Sequence, residues 1–469
     1  MSASGFAAES LLNRAHEHAA TFLRALPERY VGARASRDEL MAALNVPLSQ
    51  RGEDPSVVID ALAGQAERGA IACAGPRYFG FVIGGSLPVA LAADWLISAW
   101  DQNPGLYATS PLTSVLEDTA REWLLDILDL PRASSLGFVT GCQMANFTCL
   151  AAARHGVLRR TGWNVEEDGL AGAPRVNLVT SAESHVTVDV AVRYLGFGTR
   201  HLLRVETDGQ GRMRADRLRT LLGTLTGPTI ICAQAGNVNT GAFDPLREIA
   251  EAARQHEAWL HVDGAFGLWA RASREHSHLA DGIEMADSWA ADAHKWPNVP
   301  YDCGLAITRH PEYHRASMTS TAAYLVQTHG LERDSVDWVP EFSRRGRGIT
   351  VYAALRALGR DGVEALIDND CACARQMAQL LRGQRGVEVL NDVVLNQVLA
   401  RFGDDDDLTR RVVAGVQKDG TCWLGGTTWQ GRAAMRISVS NWATTSDDIA
   451  RSAAAILGVW TAIAELQNA

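Results

Sequence analysis

The sequence predicts an α/β protein: a mostly parallel central sheet, a helical N-terminal arm before it and a small α+β C-terminal domain after it. Three observations lead there. Between about residues 135 and 310, short β-rich runs alternate with helical stretches. Those runs are apolar almost throughout, as strands covered on both faces are. After Tyr352 the rhythm changes to long helices between widely spaced strands. A chain of 469 residues exceeds a single simple core. The expected divisions are a helical arm over 1–72, a large α/β domain over 73–350 and a small α+β domain over 351–469.

In the arm, Glu9–Leu26 and Val57–Arg68 carry apolar residues at three- and four-residue steps, the period of amphipathic helices. Pro47 and the polar stretch Ser49–Pro55 separate them. An arm without a core of its own needs a partner surface for its apolar faces, so a homodimer is expected. The passage Tyr78–Trp100 is the most hydrophobic, but Gly80, Gly84, Gly85, Pro88 and Asp94 interrupt it. It reads as a buried segment rather than a membrane span. In the large domain, strands are expected over Val176–Thr180, His201–Val205, Thr229–Ala233, Trp259–Val262 and Gly304–Thr308, with helices over Val186–Leu195 and Pro245–His256. Beyond these, a helix over about Val363–Arg382 precedes strands Val387–Leu390, Gln397–Phe402 and Ala434–Val439. Helices Leu408–Lys418 and Asp447–Ala464 complete the chain, and the acidic run Asp404–Asp407 reads as a solvated loop.

Composition narrows the function. Apolar residues are 47% and charged residues 21%, the balance of a soluble globular protein. A net charge of −10 offers no basic footprint for nucleic acid or anionic membrane. The N-terminus, MSASGFAAES, has no secretory pattern, and the eight cysteines show no CxxC pair or zinc spacing. Reduced thiols in the cytoplasm, and no metal, are expected.

In open α/β sheets, ligands sit beyond the carboxyl ends of the strands, and three segments there carry chemistry. Trp259-Leu-His-Val-Asp263-Gly-Ala265-Phe ends an apolar strand on an acid followed by small residues. Such a carboxylate can keep a pyridine nitrogen protonated beneath a flat heterocycle, although an isolated Asp there more often caps a helix. Ala290-Ala-Asp292-Ala-His294-Lys295-Trp296 offers a lysine amine suited to imine formation. Alone it would be a surface lysine; the Asp263 strand upstream and His294 beside it favour function. Gly137-Phe-Val-Thr-Gly141-Cys142-Gln143 opens a helix whose N-terminus can cradle a phosphate. No GxGxxG or P-loop pattern accompanies it.

Phosphate cradle, pyridinium acid and imine lysine in this order resemble the group II pyridoxal-phosphate-dependent amino-acid decarboxylases, the family of the aromatic amino-acid, glutamate and histidine enzymes. The likeness runs from about Gly75 to Gly348 and more loosely to the C-terminus. His-Val-Asp263-Gly-Ala265, Asp292-Ala-His294-Lys295-Trp296 and Tyr301-Asp302-Cys303-Gly304 carry it, with Pro76-Arg-Tyr-Phe79 and Ser110–Glu117 on the substrate side.

The resemblance implies a fold-type I, PLP-dependent transferase-like architecture with pyridoxal 5′-phosphate as cofactor. It implies a Schiff base on Lys295, a pyridinium partner in Asp263, and His185 stacked on the ring. Gly141, Cys142 and Gln143 match the phosphate loop, with Asp292 and His294 near it. Asn237 matches a residue near the 3′-oxygen, though a turn-forming Asn reads equally well, and Ala265 packs against the ring. Phe81 would contact substrate, with Tyr78, Phe79 and Val82 completing an apolar wall, and Thr109 would cross to the partner chain's site. The implied reaction removes the α-carboxylate of an amino acid, mildly favouring aromatic or apolar side chains. Aldehyde-forming oxidative decarboxylation and retro-aldol cleavage use the same cofactor and stay open, as does, more remotely, a non-catalytic binding protein. The family's lid tyrosine is missing from Glu332–Trp338, so two acids are in contention for the proton to Cα: Tyr324, the nearest tyrosine, in a lid over Met318–Arg333, and His185 over the ring.

Overall fold

The computed structural model describes residues 8–319 and 332–468. Three helices open the chain: α1 (Ala8–Ala25), α2 (Arg37–Leu44) and α3 (Pro55–Gly69). Ser36 and Glu39 start α2 by exchanging hydrogen bonds with each other's backbone, and Asp54 with Pro55 starts α3. None of the three buries a residue within this chain. The hydrophobic passage then forms a turn over 80–82 and α4 (Pro88–Trp100), followed by α5 (Pro111–Ile127).

A seven-stranded sheet follows. Its strands are β1 (Ser135–Val139), β2 (Asn177–Ser181), β3 (Leu202–Val205), β4 (Thr229–Gln234), β5 (Trp259–Asp263), β6 (Ser288–Asp292) and β7 (Gly304–Thr308). Helices α6 (Cys142–Arg159), α7 (Val165–Asp168), α8 (Val186–Tyr194), α9 (Ala215–Leu222) and α10 (Leu246–Gln255) lie between them. The spatial order is β1-β7-β6-β5-β4-β2-β3. Six strands run one way; β7 runs against both its neighbours. The alternation in the sequence placed Gly304–Thr308 among parallel strands, and the connection explains the difference. Only residues 293–303 link β6 to β7, too few for a crossover helix, so the chain must turn back. Leu136, Phe138, Ile231, Val262 and Leu305 bury one part of the core. Leu178, Ile230 and Trp259 join α6 and α8 in another.

Past α11 (Pro311–Met318), the helix α12 (Gly348–Leu381) bends at Gly359, whose φ of 62° suits only glycine readily. It crosses the expected boundary at 350/351. Val351, Ala354 and Ile367 pack in the first core, whereas Cys373, Met377 and Leu381 pack in a second. That second core lies against an antiparallel sheet of order β10-β11-β9-β8. Its strands are β8 (Val387–Val389), β9 (Gln397–Phe402), β10 (Gly425–Trp429) and β11 (Arg432–Ser438), with α13 (Asp406–Asp419) and α14 (Ser446–Asn468). The acidic run is not wholly loop: Asp405 caps α13 by accepting from Leu408 N, and Asp406 and Asp407 occupy its first turn, where the helix dipole favours acids. By length and composition, Ser446–Leu466 could cross a membrane, yet Ile449, Ala453 and Ile456 bury a stripe of it in the second core.

Candidate active site

The parallel strands point their carboxyl ends to one edge of the sheet, and the register brings those ends together. Gly304 pairs with both Val139 and Asp292, and Asp263 pairs with Ala290. A side chain on Gly304 would meet the Gly141 backbone at 2.5 Å, so the turn into α6 sits hard against the lysine loop. One cavity opens there. Gly141, Cys142, Gln143, His185, Asp263, Ala265, Asp292, His294, Lys295 and Phe81 all line it.

Asp263, at the end of β5, is buried and fully engaged. It accepts from Asn146 Nδ2 at 3.1 Å, from Cys142 Sγ at 3.3 Å and from Ala265 N at 3.2 Å. Burial, then the charge of Asp263, hold the Cys142 thiol well above its ordinary pKa, so it stays a neutral donor. His185 caps the N-terminus of α8 and bonds Thr187 Oγ1 at 2.8 Å. Burial lowers its pKa, which keeps the ring neutral at pH 7.

Lys295 Nζ lies 2.8 Å from Asp292 Oδ2. Burial works to lower the amine's pKa, but the carboxylates of Asp292 and Asp263 outweigh it and raise the value. The other carboxylate oxygen of Asp292 accepts from Cys142 N at 2.6 Å, at the N-terminus of α6. His294 stacks on Tyr301, centroids 4.3 Å apart, and accepts from Cys303 N through Nδ1. The lysine loop is anchored by Asn298, whose Nδ2 bonds Lys295 O and also Ser440 O at 2.9 Å.

The wall expected from residues 78–82 divides. Phe81 and Val82 line the cavity, both at positive φ (55° and 58°), a costly conformation for such side chains. Tyr78 instead stacks on Trp423 at 5.0 Å, and Phe79 joins the second core. Just beyond, the chain passes so close to the lysine loop that a side chain on Gly84 would meet Lys295 O at 2.1 Å. Asn237 is buried beside the cavity, but its amide serves its own turn and Glu183 O, while Gly236 and Val238 supply the lining. Thr109 is exposed, with its hydroxyl on Asn103 O and Leu106 O, and does not line this chain's cavity. Tyr324 lies outside the described residues.

Several lining residues were given no site role by the sequence reading: Thr187, Gln234, Phe266, Tyr301 and Arg436. Arg436 carried a readable signal, a cation between Met435 and Ile437 in an apolar strand. No hydrogen bond or ion pair engages its guanidinium among the described residues, and burial lowers its pKa. Elsewhere, Glu275, His276 and Asp368 bring ligand atoms within 4.8 Å of one another, but Arg375 and Ser273 already engage the two carboxylates.

This donor set fits pyridoxal 5′-phosphate. The α6 N-terminus faces the cavity with Gly141 bare of a side chain, an amine stands at Lys295, and a buried carboxylate stands at Asp263. Comparison with known proteins agrees. The family described as "Pyridoxal-dependent decarboxylase conserved domain" matches residues 38–402. The acidic amino acid decarboxylase GADL1 of Homo sapiens is 28% identical over 75% of this chain and 68% of its own. The aromatic-L-amino-acid decarboxylase of Bacillus atrophaeus is 26% identical over 90% and 89%. The crystal structure of Oryza sativa TDC with PLP and tryptamine superposes with a TM-score of 0.90, at 24% identity over 99% of each chain, a likeness of fold.

Proposed function

The chain belongs to the pyridoxal-dependent decarboxylases, and from that premise we propose that its cavity takes a free amino acid by the α-carboxylate and releases that group as carbon dioxide. The observation that carries the reading is Arg436, which has no hydrogen-bond or ion-pair partner among the described residues and lines the same cavity as Lys295, Asp263 and His185. A guanidinium held there without an acid partner suits a carboxylate, which it can bind with two parallel hydrogen bonds.

The residues divide the work. Gln143, in the first turn of α6, would offer its backbone N–H to the cofactor's phosphate, while Cys142 N is engaged by Asp292 Oδ1. Asp263 would hold negative charge toward the cofactor's ring nitrogen and so keep it protonated. His185, as neutral imidazole, would cover the ring without opposing its charge. Lys295 Nζ would be the amine that holds the cofactor and a carrier of protons to and from the substrate. Held by these residues, pyridoxal 5′-phosphate would supply an electron-poor ring, the electron sink that decarboxylation needs. Phe81, Val82 and Tyr301 wall the cavity with apolar surface. That wall favours an aromatic or apolar side chain, as in the aromatic-L-amino-acid relative, over the acidic one named for GADL1. Tyr324 remains the proposed donor of the final proton to Cα, and Thr109 a contribution to the partner's site.

We also read the enzyme as a cytoplasmic homodimer without nucleic-acid or membrane partners, since the apolar faces of the arm and the net charge of −10 suit that state. The test is direct. The purified protein is incubated with each common amino acid, and carbon dioxide and products are identified by mass. An amine from an aromatic or apolar amino acid is the expected result, with Arg436→Met raising KM by at least ~10-fold. Faster turnover of glutamate or aspartate would overturn the substrate class. Aldehyde with ammonia would reassign the reaction.

A further inference from the structure

Behind the cavity, a buried chain of hydrogen bonds ends on Asp263, and elementary donor counting fixes its direction. Asn146 lies on α6, fully buried, with its Nδ2 3.1 Å from Asp263 Oδ2 and 3.2 Å from Thr187 Oγ1. An amide nitrogen has two hydrogens, so both bonds form together. The reverse orientation would set the amide oxygen against a carboxylate oxygen, two acceptors in contact.

Asn146 Oδ1 is therefore the acceptor from His261 Nε2, at 2.9 Å. His261 is completely buried, and burial brings its pKa down to about 4, leaving a neutral ring with one N–H. That hydrogen is on Nε2, so Nδ1 is bare and accepts the Ser288 hydroxyl at 2.9 Å. Ser288 Oγ in turn accepts from Trp259 Nε1 at 2.9 Å, and an indole N–H can only donate. Every bond runs from Trp259 toward Asp263.

The second hydrogen of Asn146 opens a branch. Thr187 Oγ1 receives it, which leaves the Thr187 hydroxyl hydrogen for His185 Nδ1 at 2.8 Å. The Thr187 backbone N–H also points to that nitrogen, at 3.4 Å. His185 Nδ1 is thus an acceptor, and its hydrogen sits on Nε2.

We infer that Asn146 is a positioning residue shared by both faces of the cofactor site. Its single amide holds the Asp263 carboxylate, which would meet the cofactor's ring nitrogen, and, through Thr187, selects the tautomer of His185, which would cover the ring. His261 and Ser288 keep that amide oriented, since rotating it would break bonds on both sides. The catalytic importance of the arrangement rests on the decarboxylase reading; the tautomer does not.

The experiment therefore reads the tautomer first. The full chain, with and without pyridoxal 5′-phosphate, is labelled with nitrogen-15 histidine and its ring nitrogens are assigned by nuclear magnetic resonance. His185 and His261 are each expected as single Nε2–H tautomers in both states. Asn146→Leu and Thr187→Val should each release His185 into a mixture. His261→Gln, whose amide can still donate to Asn146, should preserve it, and His261→Phe should not. Thr187 is only part-buried, so Thr187→Val stays informative if Asn146→Leu fails to fold. In turnover, Thr187→Val should lower kcat by ~10-fold with KM within ~2-fold, because a misplaced catalytic group costs rate rather than binding. A single unchanged His185 tautomer in Thr187→Val, or an Nδ1–H tautomer in the unmodified chain, overturns the inference. If the tautomers behave as stated and no amino acid yields carbon dioxide, the decarboxylase reading alone falls.

Discussion

Lys295 and Asp292 set the state of the reactive amine. Asp292 Oδ2 at 2.8 Å favours the ammonium form, which has no lone pair for the cofactor's aldehyde. Asp292→Asn keeps an acceptor for Cys142 N but removes the charge. Linking of pyridoxal 5′-phosphate to the cofactor-free chain, followed by absorbance, should then reach half its maximal rate at a pH lower by ~1 unit or more. An unchanged midpoint would mean that Asp292 does not control the amine. Asp263 makes a different demand, since its charge rather than its shape holds the ring protonated. Asp263→Asn should retain the cofactor, measured by its bound absorbance, and lose at least ~10²-fold in turnover, the scale of one preorganised electrostatic group. Turnover near that of the unmodified enzyme would remove Asp263 from the mechanism.

At the scale of elements, the carboxyl edge of the first sheet depends on helices packed beneath it. Glu117 of α5 is fully buried and bonds Arg344 Nη1 at 2.8 Å, Arg344 Nη2 at 2.6 Å and Ser335 Oγ at 2.8 Å. Burial alone would raise its pKa, but the Arg344 guanidinium keeps the carboxyl below its ordinary value. These bonds tie α5 to the segments on both sides of residues 336–343, beside the start of α12. Removing one partner strands a buried charge. Glu117→Gln should therefore lower stability by ~3 kcal/mol in urea unfolding, and Glu117→Gln with Arg344→Met should restore much of it. If the double variant is as unstable as the single one, shape rather than charge governs this joint.

For the whole molecule, the arm is the part least satisfied by its own chain. Leu12 is 63% exposed and Leu62 57%, and on α4 and α5 Trp95, Leu96, Leu112 and Val115 are exposed as well. Light scattering should give about twice the 50.6 kDa of one chain. Leu12→Glu with Leu62→Glu should shift the protein toward monomer with a loss of activity. A fully active monomer would refute the dimer. The buried His261 also makes the fold acid-sensitive. Its folded pKa of about 4 lies below the ordinary value of 6.5, so its stabilising preference for the neutral form is complete above pH 6.5 and declines as pH falls toward 4. Between pH 7 and pH 5 the unmodified protein should lose ~2 kcal/mol more than His261→Gln does, measured by urea unfolding at both values.

Sequence alone determined the parts whose information is local. Apolar runs of strand length, helical spacing and turn residues placed Gln397–Phe402 and Gly304–Thr308 as strands, because burial on two faces leaves a continuous apolar signature. Asp263, His294 and Lys295 stood out because His-Val-Asp263 and Asp292-Ala-His294-Lys295-Trp296 are short local motifs that carry the family resemblance. Strands β1 and β6 were not: Ser135–Val139 contains serine and glycine, and Ser288–Asp292 is rich in alanine, so neither carries a strong β preference. Tertiary structure decided what depends on partners distant along the chain. Arg436 reaches the cavity from the second sheet, while Tyr78 stacks on Trp423 and Phe79 packs in the second core. Asn146 meets His261, Thr187 and Asp263 only when α6 lies across β5. A hydrogen-bond chain has no sequence period. Its members are chosen by packing, which brings together whichever donors and acceptors the fold has buried side by side.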